Sequence, residues 1–494
     1  MEERKVWKAI IGGTARDGST GETFPVHEPA TGDILAEVVT CDESDVDVAV
    51  ATARRAYDED WRWRAPRERG QLLLQVARVL EEHADELAEL ETREMGKPLE
   101  QSRQFDVRFA YGVSEYFGGL ADKLVGDFIP QGPVGVYTVP EPFGVVGAVI
   151  PFNWPPIHVC GKTAPALAAG NTIVIKPAEQ APLTAIRVAE LMNEVLPPGV
   201  VNVVPGFGPV GAALVGHPGL GKISFTGSTA TGRAVMRAAS DNLTPTILEL
   251  GGKNPLIVFA DADLELAVKG AVEGMYFNQG EACTASSRIL LHESIKDRFM
   301  ERFCPAVERL VVGDGMAEGT QVGPMVTEQQ QQRVLNYIRI GEEEGAKIVA
   351  RGKLPDDPRL KNGYFVPPIV FDDVKNSMRI AQEEIFGPVV TVMSFQDYDE
   401  AIQMANETEF GLVAAVYTGD IALANRAARQ IDAGIVFINN YNRAFLGSPF
   451  GGMKGSGNGR EHGLETIREF VTTKAVRMPS GLGEIPVWSG ARDV

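Results

Sequence analysis

The sequence predicts an α/β protein built around two parallel β-sheets. Over residues 172–252, short apolar runs alternate with stretches of helical periodicity, and a second series of the same kind covers residues 254–438. Alternation of this kind forms right-handed β-α-β units, which place their strands in parallel. The chain of 494 residues is also too long for one simple core, so we expect it to divide into two or three packed units.

The first part of the chain is predicted to be helical and then extended. Apolar residues recur at helical spacing from residue 44 to about residue 120. Residues 126–152 change to short β-rich pieces separated by proline and glycine, which indicates a hairpin or an extended arm.

The two alternating series and the tail supply the remaining elements. In the first series the predicted strands are residues 172–175, 200–204, 223–225 and 246–250, with helices over 183–196 and after Pro209. In the second series the predicted strands are residues 256–259, 288–291, 389–394 and 435–438. A glycine-rich segment, 447–463, precedes a β-like tail at 469–476, and residues 480–494 are predicted to be irregular.

Composition argues against several classes of partner. The formal net charge of −19 disfavours a nucleic-acid partner, because such proteins neutralise phosphates with basic side chains. The first residues lack the apolar run of a signal peptide, and no apolar stretch approaches the ~20 residues that cross a bilayer. We therefore expect no membrane partner.

The cysteines and histidines predict neither a disulfide framework nor a metal site. Four cysteines are widely spaced, without a C-x-x-C pair, and the only close cysteine and histidine are His158 and Cys160, which we interpret as ordinary packing. A reducing cytoplasm fits this usage best. We expect no bound metal.

Cys283 is the strongest candidate for a reactive group. It lies among small and polar residues rather than in an apolar run, which favours an accessible thiol over a packing role. Upstream, Glu249 stands where a strand-like apolar run breaks on Gly251 and Gly252. A thiol and a potential base are the components of covalent catalysis.

A dinucleotide site is indicated by residues 206–211, which satisfy the pattern G-x-G-x-x-G between a predicted strand and a predicted helix. The acidic residue expected about 20 positions later is missing. A plain turn therefore remains an alternative for this segment.

Two further strand ends carry suitable chemistry. Glu179 follows the strand that ends near Lys176, and its carboxylate would accept hydrogen bonds from ribose hydroxyls and repel a 2′-phosphate, which favours NAD over NADP. Residues 225–228 lead into a helix, so their hydroxyls and backbone N–H groups would hold a pyrophosphate. Simple helix capping by Ser228 is an equal alternative from residue types alone.

A series of separated segments resembles the aldehyde dehydrogenase superfamily, in the order that the family has them, from near the start of the chain to about Val476. The segments are residues 151–155, 175–179, 225–228, 248–253, the run around Cys283, 383–388 and 449–452. The resemblance implies an aldehyde dehydrogenase-like fold and an NAD(P)-dependent, non-acylating enzyme that prefers NAD.

The same resemblance implies a division into parts. These are a Rossmann-type NAD-binding domain over residues 1–125 and 143–250, an α/β catalytic domain over 251–447, and a β oligomerisation arm over 126–142 with a strand over 469–485. Homodimers or homotetramers are typical of the family, and a lone hairpin arm is only marginally stable without a partner.

Specific residues match the family's functional positions. The resemblance makes Cys283 the nucleophile that forms a thiohemiacetal and then a thioester, Glu249 the general base, Asn153 an oxyanion donor, and Lys162 with Glu469 a proton-relay pair. The implied cofactor residues are Pro151, Phe152, Trp154, Lys176, Glu179, Gly208, Pro209, Phe225, Thr226, Gly227, Ser228, Thr231, Leu250, Glu384 and Phe386.

The resemblance implies a small-molecule aldehyde as substrate, whose identity the residues do not give. The family's funnel corresponds to residues 156–161, Ala282, Thr284 and the loop 441–450. Gly161 stands where many relatives carry a bulky side chain, which predicts a wider tunnel for an aromatic or bulky aldehyde. Arg443 is a candidate partner for a substrate carboxylate, or a solvated loop residue.

Three other functions remain open on the sequence. The thioester would pass to coenzyme A in an acylating relative, although such enzymes generally lack the base at Glu249. A thiol-dependent esterase would use the same cysteine, but no histidine is near Cys283 in the sequence. A binding or structural role on an enzyme fold is the third, since fold does not determine function.

Overall fold

The structure, a computed structural model, describes residues 5–441 and 446–487. Arg443 lies outside the described residues. The strands are β1 (Val6–Trp7), β2 (Ala9–Ile11), β3 (Thr14–Arg16), β4 (Thr23–His27), β5 (Ile34–Val39), β6 (Phe128–Gln131), β7 (Val134–Pro142), β8 (Val145–Val149), β9 (Thr172–Lys176), β10 (Val201–Val203), β11 (Lys222–Thr226), β12 (Thr246–Glu249), β13 (Pro255–Val258), β14 (Arg288–His292), β15 (Lys347–Arg351), β16 (Ile369–Asp372), β17 (Val389–Phe395), β18 (Val413–Tyr417), β19 (Ile435–Ile438), β20 (Gly457–Asn458) and β21 (Val471–Pro479).

The α-helices lie between these strands and cover the sheets. They are α1 (Glu43–Glu59), α2 (Pro66–Glu82), α3 (Ala84–Met95), α4 (Leu99–Gln101), α5 (Arg108–Leu120), α6 (Pro155–Ala168), α7 (Leu183–Asn193), α8 (Gly208–Gly216), α9 (Thr229–Asp241), α10 (Leu264–Tyr276), α11 (Lys296–Glu308), α12 (Glu328–Glu343), α13 (Arg379–Gln382), α14 (Tyr398–Asn406), α15 (Ile421–Gln430) and α16 (Thr466–Glu469). Among the helices of the described residues, none has the length and apolar character needed to span a bilayer.

Two large sheets form the centre of the molecule, which confirms the predicted α/β class. The first has eight strands in the order β20-β12-β11-β8-β9-β10-β2-β3, and its five inner strands, from β12 to β10, are parallel. The second has seven strands in the order β15-β16-β17-β14-β13-β18-β19, and only β15 is antiparallel to its neighbour. Parallel sheets are covered on both faces, and the central strands β9, β11 and β13 are buried at every position.

The segment before α1 contains strands that the sequence pattern did not indicate. Strands β2 and β3 add an antiparallel edge to the first sheet, and β1, β5 and β4 form a small separate sheet. Strands β1, β2 and β3 have only two or three residues each, too few to show a period, whereas β4 and β5 have five and six residues and were missed despite their length.

The predicted arm and the predicted tail belong to one three-stranded antiparallel sheet. Strand β7 pairs with β6 on one side and with β21 on the other, with Val134 opposite Pro479 and Pro142 opposite Val471. The tail strand begins at Val471 rather than at Glu469, because α16 ends at Glu469. Several large apolar side chains of this sheet are exposed, among them Phe128 at 64%.

A buried ion network holds the loop that carries Asn153. Lys97 follows the left-handed Gly96 that ends α3, and its ammonium group contacts the carboxylates of Asp106 and Glu91; all three side chains are fully buried. The same ammonium donates a hydrogen bond of 2.9 Å to the backbone carbonyl of Asn153. Burial, followed by the charge of Glu91, raises the pKa of Asp106 well above its usual range.

We predict that Lys97→Met destabilises the protein strongly. The substitution leaves two carboxyl groups buried without their cation, and removing one partner of a buried ion pair costs about 3–5 kcal/mol. The thermal melting midpoint, which measures this loss, should fall, and the Asn153 loop should lose a hydrogen bond.

The matched control is Lys269→Met, which removes an exposed lysine from its pair with Glu265 on the surface of α10. Exposed pairs contribute little to stability, so its melting midpoint should not change. Equal midpoints for both variants would contradict the role given to the buried network.

Candidate active site

Cys283 lies where two cavities meet. It follows α10 and a short helical turn in which Asn278 and Gln279 have left-handed backbone conformations, with φ of 53° and 46°. Its backbone carbonyl accepts a 2.8 Å hydrogen bond from the side chain of Asn254, which also binds the carbonyl of Ala285. The half-buried thiol residue lines both a cleft of about 190 Å³ and a smaller cavity of about 50 Å³.

Glu249 is the last residue of β12 and lines the same two cavities as Cys283. It is 3% exposed, and neither carboxyl oxygen has a hydrogen-bond partner among the described residues. Burial raises the pKa of Glu249 well above its usual range, and the charge of Glu461 adds to the effect. A buried carboxyl group without hydrogen bonds is a stronger base than one in water, which suits the predicted role.

The predicted proton-relay pair Lys162–Glu469 is wrong. The ammonium group of Lys162 donates to Glu461 at 2.8 Å and to Ser224 at 3.0 Å, and the Lys162 side chain is fully buried. Glu469 instead lies 3.5 Å from the ammonium of Lys222 and is one-third exposed. In the described structure the ion-pair partner of Lys162 is therefore Glu461 and not Glu469.

Chain geometry explains this exchange of partners. The backbones of Glu461 and Phe450 exchange two hydrogen bonds, which bring Glu461 beside Lys162 and into the wall of the 50 Å³ cavity. Glu469 ends α16, just before the exposed strand β21. The signal that pointed to Glu249, a carboxylate two residues from a glycine, was also present at Glu461 within the glycine-rich segment 447–463.

Asn153 is placed beside Cys283 in the wall of the larger cleft. Its side-chain amide donates to the backbone carbonyl of Glu281 at 3.0 Å, and its Oδ1 lies 3.2 Å from Nε2 of His158. Because Oδ1 only accepts, the ring nitrogen of His158 is the donor in this contact. One of the two amide hydrogens is thus engaged, which leaves the other for an oxyanion.

The predicted cofactor residues converge at one edge of the first sheet. The carboxyl ends of parallel strands lie together and are where α/β sheets bind ligands. The 190 Å³ cleft and a second cavity of about 410 Å³ are both lined by residues that follow these ends. The residues that line them include Pro151, Phe152, Lys176, Glu179, Gly208, Phe225, Thr226, Gly227, Ser228, Thr231, Leu250, Glu384 and Phe386.

The 410 Å³ cavity suits the adenosine end of a dinucleotide. Its walls include the apolar side chains of Val149, Val215 and Phe225, which offer faces for a flat base. A side chain at Gly208 would point into open space there, since a Cβ at this position meets nothing within 4 Å. Glu179 lies at the same cavity, with its carboxylate 2.9 Å from the ammonium of Lys176.

The segment 206–211 follows β10 and opens α8, as predicted. Ser228 does cap α9, because its side chain accepts from the backbone of Thr231, and it also lines the 190 Å³ cleft. The capping interpretation and a position at the cofactor cleft are therefore compatible.

The other end of the cleft contains two groups that the sequence pointed to and two that it did not. Glu384 accepts from the backbone N–H of Gly252 at 3.0 Å, and burial raises its pKa to about 7. Phe386 has a left-handed backbone with φ of 62°. From α12, Gln330 and Arg333 donate to the backbone carbonyls of this segment, and no motif in the sequence marked them.

Two predicted cofactor residues lie elsewhere. Trp154 lines the 50 Å³ cavity on the aldehyde side and not the cofactor cleft. Pro209 stands in the first turn of α8 without lining either cofactor cavity, although its neighbour Gly208 does.

The 50 Å³ cavity, which we call the aldehyde-side cavity, is lined mainly by aromatic and apolar groups next to the reactive residues. Its walls are Phe105, Phe109, Trp154, Ile157, His158, Thr226, Glu249, Cys283, Thr284, Phe450, Glu461 and His462. From the predicted funnel this set includes Ile157, His158, Thr284 and Phe450, whereas Tyr441 lines a different cavity near α10.

The expectation that Gly161 leaves a wider tunnel is wrong. A Cβ at Gly161 would lie 3.3 Å from Cε1 of His462, so the imidazole ring occupies the space that the missing side chain leaves.

The chain is similar to known proteins over most of its length. The family described as aldehyde dehydrogenase family matches residues 16–476. The chain is 53% identical over 466 residues to an aldehyde dehydrogenase of Didymella fabae, covering 94% of each protein. It is 44% identical over 472 residues to aldehyde dehydrogenase family 2 member B4, mitochondrial, of Arabidopsis thaliana, covering 94% of this chain and 87% of that protein.

Among solved structures, the NAD+ complex of an aldehyde dehydrogenase from Bacillus cereus is similar to the whole fold. Its TM-score is 0.94 at 41% sequence identity, with 96% of this chain and 97% of that chain covered. With the family matched over most of its length and relatives of this identity, the chain belongs to the aldehyde dehydrogenase family.

Proposed function

We propose that the protein oxidises an aldehyde to a carboxylic acid, with NAD as cofactor and Cys283 as the covalent nucleophile. The observation that carries the proposal is that Cys283 and Glu249 line both the cofactor cleft and the aldehyde-side cavity. At this junction the thiol would bond to the carbonyl carbon and the base would activate the water that attacks the same carbon, both next to the bound cofactor.

In the first step the thiolate of Cys283 bonds to the aldehyde carbon. The carbonyl oxygen becomes an alkoxide, and the side-chain amide of Asn153 with the backbone N–H of Cys283 would stabilise it. Loss of one such donor usually costs about 2.7–4 kcal/mol of transition-state stabilisation. The product of this step is a thiohemiacetal on Cys283.

Bound NAD supplies the acceptor for the hydride that leaves the former aldehyde carbon. Phe152 and Phe386 meet edge to face at 5.8 Å in the wall of the cleft and would limit the movement of a flat ring there. Glu384 lines the same cleft and would accept hydrogen bonds from ribose hydroxyls. Loss of the hydride leaves a thioester on Cys283.

Glu249 then activates the water that cleaves the thioester. The water oxygen bonds to the acyl carbon, the carboxylate of Glu249 takes the proton, and the thiolate leaves with the electron pair of the C–S bond. The proton must then depart from a fully enclosed carboxyl group. We assign that transfer to Glu461 and Lys162, whose charges both act on the pKa of Glu249.

The position of Glu249 favours water over coenzyme A as the acyl acceptor. An acylating enzyme needs no base for water, whereas here a buried carboxyl group lines the cavity beside the thiol. The cofactor cleft equally favours a dehydrogenase over a thiol esterase, which would need no cleft of this kind.

We also propose that NAD is preferred to NADP. The carboxylate of Glu179 lies at the 410 Å³ cavity. It would accept hydrogen bonds from ribose hydroxyls but repel a 2′-phosphate. The positive charge of Lys176 is already offset by its 2.9 Å contact with Glu179.

The aldehyde is proposed to be aromatic or bulky. This rests on the walls of the aldehyde-side cavity, where Phe105, Phe109, Trp154 and Phe450 come together. Aromatic rings prefer edge-to-face and offset contacts with one another. The width predicted from Gly161 no longer supports it.

The cytoplasm, as a reducing compartment, is the proposed location. No disulfide links the four cysteines, and Cys41 and Cys160 are buried. Burial raises the pKa of Cys160 to about 12, which keeps this thiol protonated and unreactive.

Glu249→Gln tests the proposed function. We predict that the first turnover, seen as a burst of NADH, remains near one per active site, whereas steady-state turnover falls by about 10²–10⁴-fold because thioester hydrolysis loses its base. In the wild type, steady-state turnover should rise with pH as Glu249 loses its proton, at a pKa well above its usual range, and the variant should lack this limb. Stopped-flow absorbance of NADH, with and without coenzyme A, measures both phases.

The matched control is Glu469→Gln, which should keep wild-type turnover, whereas Glu461→Gln should slow it. Unchanged steady-state turnover in Glu249→Gln would contradict the role of Glu249 as the general base. Acceleration of the wild type by coenzyme A would favour the acylating reaction, and aldehyde-independent ester hydrolysis without NADH formation would favour the esterase.

The exposed three-stranded sheet of β6, β7 and β21 is proposed to join subunits of a homodimer or homotetramer. All four residues of β6 are exposed, and both outer strands carry exposed apolar side chains such as Phe128 and Met478. Exposed apolar groups on a sheet edge are typical of a surface that pairs with another chain.

We predict that Phe128→Asp lowers the mass of the assembly in solution without changing the fold. The residue is exposed in the single chain, so the charge is costly only where a second chain covers it. Light scattering after size-exclusion chromatography measures the mass, and circular dichroism checks the fold.

Leu243→Asp is the matched control, since Leu243 is 88% exposed in a turn away from the arm, and aspartate tolerates its left-handed backbone. A wild type that is monomeric, or a Phe128→Asp protein with the same mass as the wild type, would contradict the proposed interface.

A further inference from the structure

His462 holds an unusual position in the aldehyde-side cavity. It follows Glu461 directly, and its backbone is left-handed with φ of 63°, a conformation that residues with side chains seldom adopt. Its backbone carbonyl accepts a 3.0 Å hydrogen bond from the N–H of Gly447, which stabilises this turn. Such conformations concentrate at binding sites, where the surrounding structure enforces them.

The imidazole ring is packed on three sides. Phe109 meets it edge to face at 5.1 Å and Phe450 at 5.4 Å. On the third side, a Cβ at Gly161 would lie 3.3 Å from Cε1 of His462. The absence of a side chain at Gly161 is therefore what allows the ring to stand in the cavity wall.

One nitrogen of the ring lacks a hydrogen-bond partner among the described residues. Nδ1 of His462 is buried and has no hydrogen-bond partner among them. The neighbouring His158 differs in this respect, because its Nε2 contacts Asn153. A buried polar atom without a partner is costly in a folded protein, so a ligand that supplies the partner is favoured.

The charge state of the ring narrows the class of ligand. Burial lowers the pKa of His462, and the opposing charges of Glu461 and Lys162 act on it as smaller influences. A neutral imidazole has one N–H donor and one acceptor nitrogen. It gives no positive charge to offset a carboxylate, whereas a hydroxyl group, which both donates and accepts, matches either tautomer.

We propose that His462 is a specificity-determining residue that hydrogen-bonds a hydroxyl substituent on an aromatic aldehyde. The ring of such a substrate would contact Phe105, Phe109 and Phe450 while its aldehyde carbon reaches Cys283. The inference rests on the proposed aldehyde oxidation and adds the class of substrate to it.

The test compares benzaldehyde with its 2-, 3- and 4-hydroxy derivatives in the wild type and in His462→Phe. Phenylalanine keeps a flat ring against Gly161 but has no nitrogen. The wild type should prefer one hydroxy isomer, and in the variant this preference in kcat/KM should fall by about five- to tenfold. Benzaldehyde is the internal reference in each enzyme: it makes no such hydrogen bond, so a general loss of activity in the variant lowers its kcat/KM and that of the hydroxy isomers alike.

The intrinsic reactivity of each aldehyde is the same with both enzymes, so it cancels when the kcat/KM preference of the variant is divided by that of the wild type. His462→Asn is the second variant: asparagine tolerates the left-handed backbone and keeps a donor and an acceptor, so it should retain part of the preference. This variant also keeps the test decisive if His462→Phe does not fold.

Several outcomes would overturn the inference. An unchanged preference in both variants, an equal loss with benzaldehyde and the hydroxy isomers, or a wild-type preference for 4-carboxybenzaldehyde would each do so. A wild type that oxidises only aliphatic aldehydes would also overturn it, while leaving the proposed function intact. A wild type that forms no NADH with any aldehyde would instead refute the proposed function itself.

Discussion

The carboxyl group of Glu249 is buried at the junction of two cavities, away from bulk solvent, and the rest of the site is arranged around that desolvation. Water would otherwise hydrogen-bond both oxygens and keep the group a weak base. Here neither oxygen has a partner among the described residues, and burial raises the pKa of Glu249. The cost of such burial is offset in part by the positive charge of Lys162, which is itself held by Glu461.

The two parallel sheets explain why these groups meet. Glu249 ends β12, the loop with Asn153 follows β8, and the Cys283 loop enters from the second sheet, so strand ends from both halves point at one junction. The positions are then locked by groups that do no chemistry. Lys97 binds the carbonyl of Asn153 from inside a buried ion network, and Asn254 binds the carbonyl of Cys283. Pre-organised donors of this kind lose little free energy by reorganising during a reaction.

Much of this arrangement was predictable because its signals are local. Strand ends followed by glycine, hydroxyl or carboxylate residues predicted many of the residues that line the 190 Å³ and 410 Å³ cavities, and Cys283 and Glu249, which were singled out together, both line the 190 Å³ and 50 Å³ cavities. The failures involve contacts between distant segments. Glu461 and Glu469 are both glutamates near a glycine-rich tail, and only the bridge to Phe450 decides which one reaches Lys162.

Gly161 fails as a predictor for a related reason. A glycine reports an absent side chain, but the group that fills the vacancy comes from elsewhere in the chain, here His462. Trp154 lies next to cofactor residues in the sequence yet lines the aldehyde-side cavity, because the chain turns into α6 at this point. Strands β1, β2 and β3, before α1, are too short to show a period.

The account depends most directly on a bond between the sulfur of Cys283 and the carbonyl carbon of the substrate. Rapid acid quenching of the enzyme during turnover with NAD and an aromatic aldehyde, followed by proteolysis and peptide mass spectrometry, measures that bond. The account predicts an adduct on the peptide that contains Cys283, with the mass of the aldehyde less two hydrogens. NADH formation without an adduct on this peptide, or with the adduct on Cys41, Cys160 or Cys304 instead, would contradict it.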